Sequence, residues 1–180
     1  MYNKQASGQQ GFTLIEAMIV IAIVAIVLSL AVPSFNDFFE KNRLKRAAEE
    51  VYGLVTKARA EGVIRSADMS IDVDTGEWCV GYAVGACDCT AASCVVPVAG
   101  TDVTQVVSGA VNFSGVTITE SFTGTSTTFD SVKGTAGTGR ISLSSASGNW
   151  DLDVVVSGGG RVILCAPDTS KTTMGYSECP

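Results

Sequence analysis

The stretch GFTLIEAMIVIAIVAIVLSLAVPSF, residues 11–35, decides the fold of the N-terminal part of this chain. From Phe12 to Phe35 it is an apolar run of 24 residues. As a helix it would measure about 36 Å, and the hydrocarbon core of a bilayer is about 30 Å thick. The sequence therefore predicts a helix that can span a membrane. Glu16 is the only formally charged residue from Phe12 to Val32, and a charge at membrane depth costs roughly 2.5–3.5 kcal/mol. No Lys or Arg lies within helical reach of Glu16, so we expect its partner to belong to another chain.

Two other interpretations of the apolar run remain open beside a contact between Glu16 and another chain. One is a plain membrane anchor. The other is a cleaved secretory signal, because Ser29-Leu30-Ala31 has the small-x-small pattern of signal peptidase sites, with a mature chain starting at Val32. The run is longer than usual for such a signal, and it contains an acid. The positive-inside rule would place the basic group at 41–46 in the cytoplasm, whereas the cysteines downstream predict an exported head. This conflict argues against an ordinary single-pass protein.

The composition excludes several classes of function. The formal net charge is -6, with a sequence pI of about 4.6, which disfavours binding driven by bulk attraction to nucleic acid. The chain has no histidine, so a Ser/His/Asp or Cys/His nucleophilic site and an imidazole metal site are excluded. The tripeptide Asp74-Thr75-Gly76 occurs in aspartic proteases, but here it predicts a turn, because the head is too small for two catalytic lobes. We expect no enzymatic activity, no catalytic residue, no cofactor and no metal.

The cysteines predict disulfides in an oxidising compartment, since an even number follows an export-type segment. Six cysteines allow fifteen pairings, and the sequence does not fix one. Our preferred pair is Cys165 with Cys179, which would close the C-terminal segment, while the other four would staple the region 79–94. Zinc binding at Cys87-x-Cys89 with Cys94 is disfavoured by the spacing and by export. The six candidates are Cys79, Cys87, Cys89, Cys94, Cys165 and Cys179.

From Asn36 the sequence becomes amphipathic and predicts a continuation of the helix over residues 36–64, with Gly62 as a plausible stop. Apolar residues at spacings of three and four form one stripe, which we expect to hold a β-sheet: Leu44, Ala47, Ala48, Val51, Leu54, Val55 and Ala58. The basic group Lys41–Arg46 is either a solvated face or a contact with lipid headgroups or acidic neighbours.

Residues 65–180 are rich in Val, Thr, Ser and Gly and predict a β-rich head. Short strands with close turns imply a mainly antiparallel sheet laid on the helix, which is an α+β fold. Gly158-Gly159-Gly160 predicts the hairpin turn between the last two strands. The expected strands are Met69–Val73, Trp78–Val84, Val95–Val98, Val103–Val107, Val111–Thr119, a strand at Phe129, Arg140–Ser144, Trp150–Val156 and Arg161–Cys165.

The motif Gly11-Phe12-Thr13-Leu14-Ile15-Glu16 before an apolar run resembles the processing site of type IV prepilins and pseudopilins. The resemblance implies a leader peptide at 1–11, cleavage between Gly11 and Phe12 by prepilin peptidase, and methylation of the new amine of Phe12. It implies that residues 12–35 form a transmembrane and assembly helix. It also implies that Glu16 pairs with the N-terminal amine of a neighbouring subunit, and that Pro33 loosens the helix.

The head segment ARAEGVIRSADMSIDV and the ending FDSVKGTAGTGRISL…LDVVVSGGGRVILC resemble the GspH/FimT group of minor pilins and pseudopilins, most of all FimU. The resemblance covers about residues 11–84 and 128–166. It implies a type IV pilin fold and a minor pilin that primes pilus assembly at or near the tip. The implied partners are other minor pilins, the major pilin, the peptidase and, before assembly, the inner membrane, with the head in the periplasm. The equivalent pseudopilin of type II secretion is the alternative within the family.

A DNA-binding minor pilin is the alternative from another class. Arg161 in the last hairpin could contact DNA, but the next outward position, Ile163, is apolar. Residues 63–180 carry five basic side chains against twelve acids, a net charge of -7 (5 - 12), and Lys and Arg supply most non-specific affinity for phosphates. Nucleic acid is therefore a disfavoured partner, and a salt bridge or turn contact is the simpler role for Arg161.

Overall fold

The computed structural model describes residues 12–91, 93–123, 126–168, 170 and 173–180, without the side chains of residues 30–34. The chain divides into two compact units, one up to Phe39 and one from Glu40 onward. A single α-helix, α1, runs from Leu14 to Arg65, close to the bounds that the apolar run and the amphipathic stripe predict.

The helix ends later than Gly62, which we expected to be its stop. Ser66 adopts the left-handed conformation with φ of 51°. The N–H of Ala67 donates to the carbonyl of Gly62 at 3.2 Å, and the N–H of Ser66 donates to that of Val63 at 3.4 Å. These two bonds form a Schellman motif with serine in place of the usual glycine. Gly62 instead lies inside the last turn, where a Cβ would lie 3.3 Å from the Ala67 carbonyl oxygen and 3.4 Å from Met69 Cγ.

The head contains two four-stranded antiparallel sheets and one two-stranded hairpin within the described residues. The first sheet has the order β5-β2-β1-β7, the second β10-β9-β8-β6, and the hairpin pairs β3 with β4. All the strand pairs are antiparallel, so the predicted α+β fold with an antiparallel head is confirmed. The strands are β1 (Met69–Asp74), β2 (Cys79–Val84), β3 (Val95–Val98), β4 (Thr101–Thr104), β5 (Val106–Ser108), β6 (Thr117–Glu120), β7 (Ser126–Phe129), β8 (Gly139–Ser144), β9 (Asp151–Val156) and β10 (Val162–Cys165).

The apolar stripe of α1 lies in the main core. Six of its seven residues are fully buried, and Leu54 is half-buried. The inward residues of both sheets belong to the same core, including Ile71, Tyr82, Leu143 and Val154. Burial of this stripe is the main favourable term that holds the head on the second half of the helix.

Two of the expected strands are wrong in the middle of the chain. The predicted strand Val111–Thr119 is a short helix, α2 (Gly109–Asn112), followed by a turn and then β6. This helix starts at Gly109, where the Trp78 ring packs so closely on the backbone that a Cβ would lie 2.1 Å from it. The predicted strand Val103–Val107 is divided at Gln105, where pairing changes from β3 to β2.

Candidate functional site

The N-terminus of α1 is built around Thr13 and Glu16. Thr13 precedes the first helical residue, and its Oγ1 accepts the backbone N–H of Glu16 at 3.3 Å. The spacing Thr-x-x-Glu is that of a capping box, a sequence signal from which Thr13 could have been predicted as the cap. The carboxylate lies in the first turn, where the positive end of the helix dipole stabilises a negative charge. The helix start therefore explains locally why an acid is tolerated in this apolar run.

The carboxylate of Glu16 is exposed and has no cationic partner among the residues that the structure describes. The two ion pairs found there are Glu61 with Arg65, and Arg140 with Asp153 at 3.0 Å. The carboxylate is thus available to a cation from another molecule.

The helix around Glu16 presents a continuous apolar surface. Residues 12–29 are all exposed; Phe12 is 85% exposed and Leu14 79%. Soluble monomers rarely expose contiguous apolar patches of this extent, and such patches mark sites of protein or membrane contact. This surface therefore requires a partner or a lipid environment.

Three of the expected features fall wholly or partly outside the described residues. Gly11 and the leader 1–11 are not described, so the cleavage site stays a prediction. The backbone at Pro33 is helical, but its side chain is not described, and its role in loosening the helix stays a prediction. Within the described part of the chain, no helix combines the length and apolarity needed to cross a membrane.

All six cysteines form disulfides. The pairs are Cys79–Cys89, Cys87–Cys94 and Cys165–Cys179. The structure thus brings together the C-terminal pair that we preferred and staples the region 79–94 with two crossed bridges. The disulfides exclude the disfavoured zinc site at Cys87, Cys89 and Cys94, because a disulfide sulfur is not the thiolate that zinc binds.

The C-terminal segment, which lies between Cys165 and Cys179, packs on the helix through polar and aromatic contacts. The Tyr176 hydroxyl donates to Glu49 Oε1 at 2.6 Å, and Lys45 Nζ lies 5.5 Å from the centroid of the Tyr176 ring.

The other basic residues at 41–46 also contact the head. Lys41 Nζ lies 4.8 Å from the Trp150 ring, and Arg43 donates to the carbonyl of Ser114. The predicted basic group at 41–46 is therefore largely engaged within the head, while Arg46 is exposed.

Gln105 anchors the middle region to the helix. Its side-chain oxygen accepts from Lys57 Nζ at 2.7 Å and from the Tyr82 hydroxyl at 3.1 Å. Burial raises the pKa of Tyr82 to about 12, and the negative charge of Glu61 adds to this shift. Gln105 carried no signal in the sequence, because its partners lie 48 and 23 residues away.

Arg161 closes the last hairpin through its backbone. Its N–H donates to Ser157 Oγ at 3.2 Å, and its carbonyl accepts the Ser157 N–H at 3.0 Å. The side chain is exposed and forms no ion pair within the described residues. The turn contact that we expected is thus made by the backbone.

The comparisons with known proteins agree with this architecture. Residues 6–32 match the prokaryotic N-terminal methylation motif, and residues 47–160 match the family described as Type II transport protein GspH. A methylation motif on a long helix, followed by an antiparallel head, defines the class of type IV pilins and pseudopilins. Since the second match covers most of the chain, the protein belongs to the GspH family.

Two solved structures share the fold. The type IV minor pilin FimU of Pseudomonas aeruginosa matches with a TM-score of 0.52 and 22% identity, over 75% of this chain and 99% of that one. The minor pseudopilin EpsH from the Type 2 Secretion System of Vibrio cholerae matches with a TM-score of 0.51 and 12% identity, over 69% and 97%. The type IV pilin fold and the resemblance to the GspH/FimT group are therefore confirmed.

Curated relatives match over a shorter part of their length. A fimbrial protein of Pseudomonas aeruginosa is 44% identical over 53 residues, which is 29% of this chain and 34% of that protein. The type IV major fimbrial protein FimA of Dichelobacter nodosus is 37% identical over 73 residues, or 39% and 44%. The matches thus span less than half the length of these relatives.

Proposed function

We propose that this protein is a minor pilin of a type IV pilus, which primes assembly and lies at or near the pilus tip. The observation that carries the proposal is the methylation motif at 6–32, which includes an exposed apolar helix at 12–29 whose one carboxylate, Glu16, has no cation among the described residues. Such a surface serves lateral packing with similar helices. The role is structural, without a catalytic group, cofactor or metal.

The proposed mechanism starts with cleavage between Gly11 and Phe12 by prepilin peptidase, followed by methylation of the Phe12 amine. Cleavage creates a cation at the same depth as the acid of a neighbouring subunit. Glu16 then pairs with that amine in the filament, which offsets the cost of holding a carboxylate in an apolar environment. The helix cap at Thr13 would hold the carboxylate at the start of the helix, close to the incoming amine.

The proposed location changes with maturation. The precursor would be a single-pass protein of the inner membrane over residues 12–35, with its head in the periplasm, where the disulfides form. The mature subunit would then join other minor pilins and the major pilin in a filament at the cell surface. Pro33 would let the helix adjust as it leaves the membrane. The regions 85–127 and 166–180 would face other subunits, and the first of them contains the hairpin of β3 and β4.

The second candidate is the equivalent pseudopilin of a type II secretion system. It is favoured by the match to Type II transport protein GspH and by the shared fold with EpsH. Deletion of the gene separates the two functions. Loss of surface pili and of twitching motility, with normal protein secretion, supports the minor pilin, whereas the reverse result supports the pseudopilin.

Mass spectrometry of the mature N-terminus tests the processing step. A chain that begins with methylated Phe12 is the expected result. A chain that begins at Val32 would assign the segment to secretory signal peptidase and overturn the proposal.

The substitution Glu16→Gln tests the ion pair. Glutamine keeps the shape of the side chain and the backbone N–H that Thr13 caps, but it removes the charge. We expect normal cleavage and a reduced amount of the subunit in sheared filaments. Thr13→Ala is the matched control, because it removes the cap at a cost of about 1 kcal/mol and keeps the carboxylate. Normal incorporation of Glu16→Gln would show that no such pair is needed.

A further inference from the structure

The hairpin of β3 and β4 has an open edge. In the two-stranded sheet, β4 pairs with β3 alone, and its four residues, Thr101–Thr104, are all exposed. At the base of the hairpin, Cys94 and Gln105 form a hydrogen-bonded pair, since the N–H of Gln105 donates to the Cys94 carbonyl at 2.8 Å. Because bonded and non-bonded pairs alternate along an antiparallel ladder, the backbone groups of Asp102 and Thr104 point away from β3. They form a row of donors and acceptors that can pair with another strand.

The hairpin is fixed at both ends of its base. Cys94 is tied to Cys87 by a disulfide, and Gln105 is held by Lys57 and Tyr82. A strand that binds to this edge therefore meets a preorganised surface, and little ordering entropy is lost on the side of this chain.

One face of the hairpin is apolar. Val96, Val98 and Val103 share this face, since Val96 lies opposite Val103 in the ladder. Val96 is buried, whereas Val98 is 45% and Val103 39% exposed. The face therefore continues from the core to a partly uncovered surface, which an added strand would extend and cover.

The sequence on both sides of the hairpin is acidic, and Lys57 at the base of the hairpin is bound to Gln105, so the charge favours a basic partner. Residues 66–132 contain eight carboxylates and no Lys or Arg. Six of these carboxylates accept backbone N–H groups in turns and loops: Asp68, Asp72, Asp74, Asp88, Glu120 and Asp130. Within the described residues, Glu77 and Asp102 accept no such bond. A second copy of this chain would bring the same negative charges to the edge, whereas a basic strand would neutralise Asp102.

We propose that the edge of β4 binds an extended strand of another protein, in which basic and apolar side chains alternate. Paired antiparallel, the basic residues lie opposite Asp102 and Thr104, and the apolar residues lie opposite Val103. Backbone bonds to Asp102 and Thr104 supply affinity, and the alternation supplies specificity. This surface is separate from the apolar helix at 12–29 and does not depend on which filament the chain enters.

A synthetic nine-residue peptide in which lysine and valine alternate is the probe. Its binding to the full chain in detergent micelles is measured by anisotropy of the labelled peptide, and its position by backbone amide shifts. We expect shifts centred on Asp102 and Thr104, and an affinity for the lysine peptide at least about tenfold above that of the same peptide with glutamate for lysine. Equal affinity of the two peptides, or shifts elsewhere, would overturn the proposal.

Two N-methylated versions of the peptide test strand pairing without altering the protein. Alternate N–H groups of a strand point to opposite edges, so methylation at the lysines blocks the edge that faces β4, and methylation at the valines leaves it free. We expect about a tenfold loss for the first version and less than about a twofold loss for the second. Any other order of affinities would contradict antiparallel pairing at this edge.

Variants of the chain complete the test. Thr104→Pro removes an outward N–H that β3 does not use, and we expect it to weaken peptide binding about tenfold. Asp102→Asn should weaken it about threefold, while Asp168→Asn, the same change of charge at an exposed position outside the hairpin, should have no effect. Concentration-dependent dimerisation of the full chain, abolished by Thr104→Pro, would overturn the assignment in favour of a second copy.

Discussion

Gly160 shows how one residue holds two loops of the head together. It adopts a φ of +73° at the tip of the last hairpin, and a Cβ there would lie 1.8 Å from the carbonyl oxygen of Gly134. Next to it, the N–H of Ala136 donates to the carbonyl of Gly158 at 3.2 Å. The glycines of this turn, which the sequence predicts as a hairpin signal, thus also allow close contact with the loop after β7.

Gly160→Ala should therefore destabilise the head by at least about 2 kcal/mol, because the methyl group meets backbone that cannot move aside and the conformation is strained. Gly159→Ala is the matched control, since nothing lies within 4 Å of a Cβ at that position. We expect its effect to stay within about 0.5 kcal/mol. Urea unfolding of the full chain in detergent measures both. Equal midpoints for the two variants would contradict the packing seen at Gly160.

The raised pKa of Tyr82 predicts a loss of folding stability at alkaline pH. Burial raises its pKa in the folded state to about 12, whereas the pKa of tyrosine in an unfolded chain is about 10. The stabilising contribution of the neutral hydroxyl is therefore complete below pH 10. It is lost as the pH rises from about 10 to about 12.

Tyr82→Phe separates this titration from the hydrogen bond to Gln105. The variant should be about 1 kcal/mol less stable at pH 8, because the bond is lost, and its stability should fall less between about pH 10 and about pH 11.5. The free energy of unfolding in urea at each pH gives the comparison. Parallel curves for the two proteins would show that the pKa of Tyr82 is the same in the folded and the unfolded states.

At the scale of elements, periodic patterns carried the prediction of the fold. The helix and most of the strands follow from spacings of three to four and of two, because burial of one face imposes these periods. The prediction for Val111–Thr119 failed because the first part of this segment belongs to a short helix that starts at Gly109 under the Trp78 ring, and no local pattern shows this contact. The anchor at Gln105 depends on contacts with residues 48 and 23 positions away, which no local pattern encodes.

The candidate site was predictable to a different extent. The position of Glu16 in an apolar run and the motif at 11–16 predict an assembly helix, and the pairing of Glu16 with another subunit stays a prediction. Thr13 has the spacing of a cap, but its role was recognised only from the hydrogen bond to Glu16. The pairing within the region 79–94 was not predictable, since crossed and nested bridges have the same cysteine spacing.

The C-terminal segment is an element that depends on its disulfide. Cys165 and Cys179 close a loop with a sequence separation of 14, and the segment otherwise contacts the helix mainly through Tyr176. Replacement of both cysteines by alanine should cost about 3 kcal/mol and increase amide exchange over residues 173–180.

The pair Cys87 and Cys94 offers the matched comparison. Its sequence separation is 7, so in the chain-entropy description its removal should cost about 0.6 kcal/mol less. Amide exchange followed by mass spectrometry, with unfolding in urea, measures both effects. Unchanged exchange over 173–180 in the Cys165→Ala, Cys179→Ala variant would show that the backbone hydrogen bonds to Ala166 and the packing of Met174 and Tyr176 hold the segment without the disulfide.

At the scale of the whole molecule, the basic residues are concentrated in one part of the sequence and the acidic residues in another. Residues 41–65 carry seven of the twelve basic side chains, whereas residues 66–132 carry none. Several of the basic groups on the helix are engaged by aromatic rings or carbonyls of the head, and the acids of the head mostly accept backbone N–H groups. The surface offered by the head to solvent is thus acidic, and this decides which macromolecules can bind it.

The same charge distribution predicts that the protein does not bind DNA at physiological salt. The net charge of residues 63–180 is -7, and non-specific binding requires several Lys or Arg side chains on phosphates. Arg161 is exposed, but Ile163, two residues further along the chain, is apolar, so this hairpin offers at most one cation to a phosphate. Titration of a labelled duplex with the full chain in detergent, at about 50 and about 150 mM salt, should give a Kd weaker than about 10⁻⁴ M, and Arg161→Ala should not change it. Tighter binding that falls steeply with salt and is lost in Arg161→Ala would instead support a DNA receptor. Such a result would leave the fold and the processing site unaltered, because neither depends on the charge of the last hairpin.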